Sequence, residues 1–291
     1  MKKIGMIGIG LMGLGIATNL QKHGHRMVLL DHPGNQPLTD LISGGATTAT
    51  SPQGVAEQVD MLVLCVTGSP QVEAILMGEQ GVLKGLKPGT IVIDCSTAIP
   101  SSTVQMAQRV QAAGGRFLDA PMTRTPKEAA EGRLNLLVGG DAELFDLCKP
   151  VLACFAENII HAGPVGAGHQ MKLLHNYVSL GSVALLSEAA ACAQRAGVNA
   201  QTFVDVLSLG GGWGAALDRI KPYLASGDSS SLRFSLSNAL KDLTYYNQMA
   251  TDTHAHHDVA QAVQKTLDLA CRESDPNAFM PELIGFLANK S

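Results

Sequence analysis

The stretch "KIGMIGIGLMGLGIATNL", Lys3–Leu20, decides how the rest of the chain is read. Lys3 to Ile7 is apolar enough for a buried strand. The texture then changes: glycines stand at 8, 10 and 13, and apolar residues recur at helical spacing as far as Leu20. A strand, a glycine turn and a helix in direct succession cradle a pyrophosphate. Gly8 permits the tight turn, Gly10 lets a phosphate approach the backbone, and Gly13 lets helix pack on strand. Leu11 and Met12 open the helix, whose first N–H groups and positive dipole end suit an anion. The same glycines can serve a strand–helix turn that binds nothing. Their place between strand and helix favours the dinucleotide.

Working outward, the first half alternates. Apolar runs at "RMVLLD" (26–31), "MLVLCV" (61–66), "TIVIDCS" (90–96), "RFLDAP" (116–121) and "LNLLVGG" (134–140) are separated by helical or polar segments. Continuous apolar strands imply a sheet covered on both faces, and helical crossovers imply parallel strands. The expected fold class is α/β, a Rossmann-type doubly wound parallel sheet in residues 1–164. After "HAGPVGAGHQ" (161–170) the texture becomes wholly helical, so an all-α domain is expected over 165–291. Its first helix runs from Gln170 towards Gly197, a candidate C-cap. Further helices are expected at about 200–208, 213–225, 237–250 and 256–273.

Length and composition bound the function. The chain has 291 residues, 46% apolar and 16% charged, with a formal net charge of −4. That balance leaves no basic footprint for nucleic acid. The most apolar helical segment, "YVSLGSVALLSEAAACA", carries three serines and Glu188 and reads as a buried helix, not a membrane span. The opening "MKKIGMIGIG" reads as strand and turn instead of a secretory signal. Six cysteines without a CxxC pairing suit a reducing compartment, and a cytoplasmic location is expected. The run "THAHHD" (253–258) lacks a separated fourth ligand, so a solvated loop is preferred over a metal site. Trp213, within "GGGWG", lines a cleft or packs between helices.

The chemistry-bearing candidates sit at strand ends and on the long helix. Asp31 ends the second strand, where a carboxylate can bind both ribose hydroxyls and repel a 2′-phosphate, so NAD is expected as cofactor. Val66 ends "MLVLCV" and is assigned to the dinucleotide, as is Thr97. Ser96 and Thr97 follow "IVID" beyond the carboxyl end of a strand, facing the nicotinamide or simply capping the next helix. Lys172, Asn176, Ser179 and Val183 share one helical stripe, flanked by His175. A lysine there suits proton transfer to an alcohol or carbonyl oxygen, or else it snorkels. Asn176 can donate and accept, orienting the lysine or the substrate.

Five segments in order resemble the β-hydroxyacid dehydrogenase family: "IGMIGIGLMGLGIATNL", "IDCSTAIP", "FLDAPMTRTPKEAAEGRLNLLVGG", "GHQMKLLHN" and "NALKDLTYY". The family includes relatives of 3-hydroxyisobutyrate dehydrogenase. The resemblance implies an N-terminal Rossmann domain, a helical C-terminal domain used in homodimers or homotetramers, and a cleft between them. It implies Lys172 as general acid/base with Asn176 beside it. Lys241 would lie near the cofactor, with Asp242 in support. The expected activity interconverts a small anionic hydroxy acid and its semialdehyde. One loop departs from the family. Where the family reads D-A-P-V-S-G-G, this chain reads "DAPMTRT", so Thr123, Arg124 and Thr125 stand at the carboxylate-binding position. A similar arginine-bearing loop occurs in sulfolactaldehyde reductases. Ser96, Thr123, Arg124, Thr125, His175 and Ser179 are the expected substrate contacts. The alternatives are a sulfolactaldehyde reductase in the narrow sense, an imine reductase, or a non-catalytic dinucleotide-binding protein.

Overall fold

The structure is a computed structural model and describes residues 2–290. It divides into two compact units, the first ending at Lys172 and the second beginning at Leu173.

The first unit is built on one sheet. Its strands are β1 (Lys3–Ile7), β2 (Arg26–Leu30), β3 (Thr47–Ala49), β4 (Met61–Leu64), β5 (Ile91–Asp94), β6 (Arg116–Asp119), β7 (Met122–Thr123), β8 (Leu134–Gly139) and β9 (Ala156–Gly163). They lie in the order β3-β2-β1-β4-β5-β6-β8-β7, with β9 paired to β8. From β3 to β6 every pairing is parallel. Order reverses between β1 and β4, the switch point where a doubly wound sheet opens a crevice beyond its strand ends. The unbroken apolar runs are explained by burial on both faces. Ile4, Met6, Val63 and Ile93 join one core cluster, while Ile7, Leu62, Leu64 and Val92 join the other.

Two strands of this unit escape the hydrophobic pattern. β3 is a short polar edge strand, and β9 is largely exposed. An edge strand has no second neighbour to demand an apolar face. The helix Ala142–Leu152 keeps a helical period, burying Leu144, Phe145, Cys148, Val151 and Leu152, and tolerates Pro150 in its last turn.

The second unit is helical. The helix Ala167–Arg195 enters it from the first unit and extends 29 residues. It ends on Gly197, whose φ of +76° is left-handed. Val198 N–H closes the end on the Ala193 carbonyl at 2.9 Å, a six-to-one bond that only a residue tolerant of positive φ permits. The helices Ala200–Ser208, Ala215–Ser226, Leu236–Asp252, Asp258–Glu273 and Leu283–Asn289 follow. Leu180, Val183, Leu217, Ile220, Leu243, Tyr246 and Leu267 form their shared core. Among the described residues of this unit there is no strand, only a bridge between Ser235 and Phe279. Among the described residues no helix is long and apolar enough to cross a membrane.

Candidate active site

The turn after β1 is dictated by space. Gly8 has φ +90°, and a Cβ there would stand 2.2 Å from the Cys65 carbonyl oxygen at the end of β4. A Cβ on Gly13 would stand 2.0 Å from the Gly8 carbonyl. A Cβ on Gly10 would meet nothing within 4 Å. Two glycines are therefore needed for backbone packing, while the third leaves an open floor. The helix that follows (Leu11–Lys22) has no side-chain cap and no acidic residue in its first turn. Its leading N–H groups are thus offered to an anion. These residues fit a dinucleotide pyrophosphate. Asp31, just past β2, is exposed and donates its backbone N–H to Ala49.

The loop beyond β5 is held by buried hydrogen bonds. Val66 N–H donates to Ser96 Oγ at 3.0 Å. Ser96 N–H donates to Asp94 Oδ1 at 2.9 Å. Asp94 is fully buried, and burial pushes its carboxyl above the ordinary range, against the pull of His169 and the hydrogen bonds from Ser96. The next strand ends the same way, because β5 and β6 are in register with Asp94 opposite Asp119. Asp119 Oδ1 accepts from Gly166 N–H at 2.7 Å, and Oδ2 accepts from His169 N–H at 2.9 Å. Glycines make that approach possible. A Cβ on Gly168 would lie 2.3 Å from the Leu137 carbonyl, and one on Gly139 would lie 2.5 Å from Asp119 Oδ1. Asp119 and His169 were not anticipated as site residues. The available signal was the "GAGH" step at a helix start, together with an aspartate at a strand end.

Lys172 is half-buried three residues after His169 on the long helix. One further turn along, Asn176 is buried, and its Nδ2 donates to Asp242 Oδ2 at 2.5 Å. His175 Nδ1 lies 2.9 Å from Asn176 Oδ1, which can only accept, so that nitrogen carries the proton in this bond. Lys241 Nζ stands 3.1 Å from Asp242 Oδ1 and 5.6 Å from the centre of the Tyr245 ring. Ser179 Oγ accepts from the Arg219 guanidinium at 2.7 Å, a partner that the sequence did not suggest.

The Thr123–Thr125 loop is organised differently. Thr123 Oγ1 accepts from Asn135 at 3.1 Å. Thr125 caps the helix Pro126–Glu131 in a reciprocal box with Glu128. Arg124 between them has φ +81°, a conformation that favours glycine. Its guanidinium pairs with Glu157 of β9 and donates to the Arg133 carbonyl. The Arg124 contact holds the Glu157 carboxyl below its ordinary range, although Glu157 is exposed. Glu131 instead pairs with Arg133 at 3.2 Å. Trp213 is exposed, and among the described residues no cluster of His, Cys, Asp and Glu has metal-holding geometry.

Comparison with known proteins gives the family. Residues 3–163 match the family model described as the NAD binding domain of 6-phosphogluconate dehydrogenase. Residues 166–287 match the one described as NAD-binding of NADP-dependent 3-hydroxyisobutyrate dehydrogenase. The chain belongs to the β-hydroxyacid dehydrogenase family. Family membership makes it a nicotinamide-dependent oxidoreductase acting on CH–OH groups. The NAD-dependent L-serine dehydrogenase of Pseudomonas aeruginosa is 33% identical over 225 residues, covering 77% of this chain and 74% of that protein. The 3-sulfolactaldehyde reductase of Escherichia coli is 33% identical over 255 residues, covering 87% and 85%. A crystal structure of 3-hydroxyisobutyrate dehydrogenase from Salmonella typhimurium matches with a TM-score of 0.84 at 26% identity, covering 98% of this dehydrogenase and all of that chain.

Proposed function

We propose that this dehydrogenase interconverts a small anionic 3-hydroxy acid and its semialdehyde with NAD(H), and that Lys172 is the general acid and base. The observation that carries the reading is the short polar series on one helix. Asn176, buried and fixed by Asp242, follows the half-buried Lys172 by one turn. Burying an amide costs free energy unless it is hydrogen-bonded, and the bond to Asp242 both meets that cost and holds the Asn176 amide in one orientation. When bound, the nicotinamide supplies a hydride to the carbonyl carbon or takes one from the alcohol carbon. In the reducing direction Lys172 Nζ gives its proton to the carbonyl oxygen, and in the oxidising direction it accepts the hydroxyl proton. Asn176 spends one Nδ2 proton on Asp242, which leaves the other to orient that oxygen.

Two further residues set specificity in this reading. Asp31, exposed after β2, favours NAD by accepting the ribose hydroxyls and repelling a 2′-phosphate. Arg124 reads the substrate anion. An arginine retained at positive φ is strained by about 1 kcal/mol or more, and a strained residue of this kind clusters at ligand clamps. A planar fork of donors suits a sulfonate as well as a carboxylate, which keeps a sulfonated semialdehyde among the candidate substrates.

Initial rates with NADH and NADPH over a panel of carboxylated, sulfonated and neutral aldehydes, plus a cyclic imine, test the whole reading. Anionic semialdehydes with NADH are expected to turn over fastest. Preference for the imine, preference for NADPH, or no turnover would overturn the corresponding part. Lys172→Ala should fold and bind NADH normally, yet lose roughly 100- to 10,000-fold in kcat, the range for a positioned acid. Near wild-type kcat across the pH range would remove Lys172 from its role.

A further inference from the structure

We infer that His169 is a positioning residue that sets the distance between the Ser96–Thr97 loop and the helical turn carrying Lys172. The inference rests on the function proposed above for those two elements and assigns them a common anchor. His169 has no exposed surface, and each of its polar atoms is accounted for. Its backbone N–H donates to Asp119 Oδ2 at 2.9 Å. Its ring Nε2 stands 3.1 Å from the Ser96 carbonyl, and its Nδ1 stands 2.8 Å from Thr103 Oγ1. One residue thus ties the loop after β5, the helix Pro100–Ala112, the end of β6 and the start of the long helix.

The hydrogen-bond chemistry fixes the ring. A carbonyl only accepts, so Nε2 must carry a proton towards Ser96. Nδ1 faces the Thr103 hydroxyl at 2.8 Å. That hydroxyl also donates to the Ile99 carbonyl at 3.1 Å, so the first turn of the helix Pro100–Ala112 holds it against the ring. Turning the ring over would put Cε1 in place of Nε2 and Cδ2 in place of Nδ1, and would lose both bonds. Ser96 is locked from its other side as well, through Val66 N–H on Oγ and its own N–H on Asp94. Lys172 follows three residues later on the same helix, so a shift of the His169 ring is transmitted to the lysine by less than one turn of backbone. Nothing in this arrangement requires His169 to touch substrate or cofactor.

The experiment measures kcat, KM and NADH affinity for His169→Leu, His169→Gln and Thr103→Val on the best semialdehyde of the panel. Leu fills the space and removes both ring bonds. Gln can donate to the Ser96 carbonyl and accept from Thr103. His169→Leu is expected to lower kcat roughly 10- to 100-fold, the scale of a 1 Å misplacement, with NADH affinity and KM changed less than about 3-fold. His169→Gln should recover most of that loss. Thr103→Val, which removes the hydroxyl that contacts His169 and Ile99, should lower kcat by about 3- to 10-fold. If His169→Leu fails to fold, Gln and Val still decide the matter by their order. Folded His169→Leu with wild-type kcat, or a Gln variant no better than Leu, would overturn the inference. Absence of semialdehyde turnover by the wild type would instead overturn the function on which it rests.

Discussion

The loops that follow β5 and β6 are neighbours in the sheet but are anchored by opposite means. The Asp94–Thr97 loop is tied by buried hydrogen bonds to Val66, Asp94 and His169. In the Met122–Thr125 segment only Met122 and Thr123 pair with β8, and beyond them Arg124 and Thr125 are tied by an exposed capping box and by the pair of Arg124 with Glu157. Buried bonds cannot be exchanged for water, so breaking one leaves a polar group stranded. An exposed ion pair is worth about 0–1 kcal/mol and competes with solvent at every moment. The first loop is therefore built to stay still. The second is held at Arg124 by an exposed ion pair that solvent can replace at little cost.

That contrast can be broken from either side. Asp119→Ala should have the largest effect, because it strands the N–H groups of Gly166 and His169 in the interior. At about 1–3 kcal/mol for each stranded group, urea unfolding of the dinucleotide-free protein should show a loss of roughly 2–6 kcal/mol. A loss no larger than that of an exposed pair would mean that the buried anchor is not what holds this end of the sheet.

Arg124→Gly tests the other side. Glycine accepts φ +81° without strain, so the melting temperature should stay within about 3 °C of wild type. Meanwhile kcat/KM for an anionic semialdehyde should fall roughly 10- to 100-fold, the worth of a hydrogen bond to a charged group. A neutral aldehyde of equal size should be nearly unaffected. Equal losses on both substrates would show that Arg124 shapes the loop and does not read the anion.

Asp94→Asn sharpens the comparison with the smallest effect. Burial raises the Asp94 carboxyl from an ordinary 3.8. For a carboxyl raised in the folded state, the proton-linked stabilisation is complete below the unfolded value and is lost as pH rises through the folded one. A neutral asparagine avoids that loss. Its melting temperature should exceed wild type slightly at neutral pH, and the gap should close as pH falls towards 3.8. A gap that widens on acidification would mean the carboxylate is stabilised by its surroundings.

The sheet was legible because its demands are local. Strands buried on both faces must be continuously apolar, and the β1 turn must be glycine where a carbonyl stands 2.2 Å from the missing Cβ. The long helix declared itself by period and by Gly197. β3 and β9 did not, since edge strands carry no obligatory apolar pattern. Among the site residues, Lys172 and Asn176 were visible as polar intrusions on a helical stripe. Ser179 was visible too, but its partner Arg219 stands 40 residues away on another helix, beyond any local spacing rule.

The sequence by itself determined a doubly wound sheet followed by helices, a glycine turn at Gly8–Gly13, and a lysine and asparagine one helical turn apart. Periodicity and steric necessity are properties of neighbouring residues and survive without a fold. Only the tertiary structure decided which polar groups share a buried network. Asp94 and Asp119 meet through strand register. His169 reaches Ser96 across 73 residues, and Arg124 takes Glu157 across 33. Hydrogen-bond pairing depends on which strands lie side by side, and that is settled by the packing of the whole sheet.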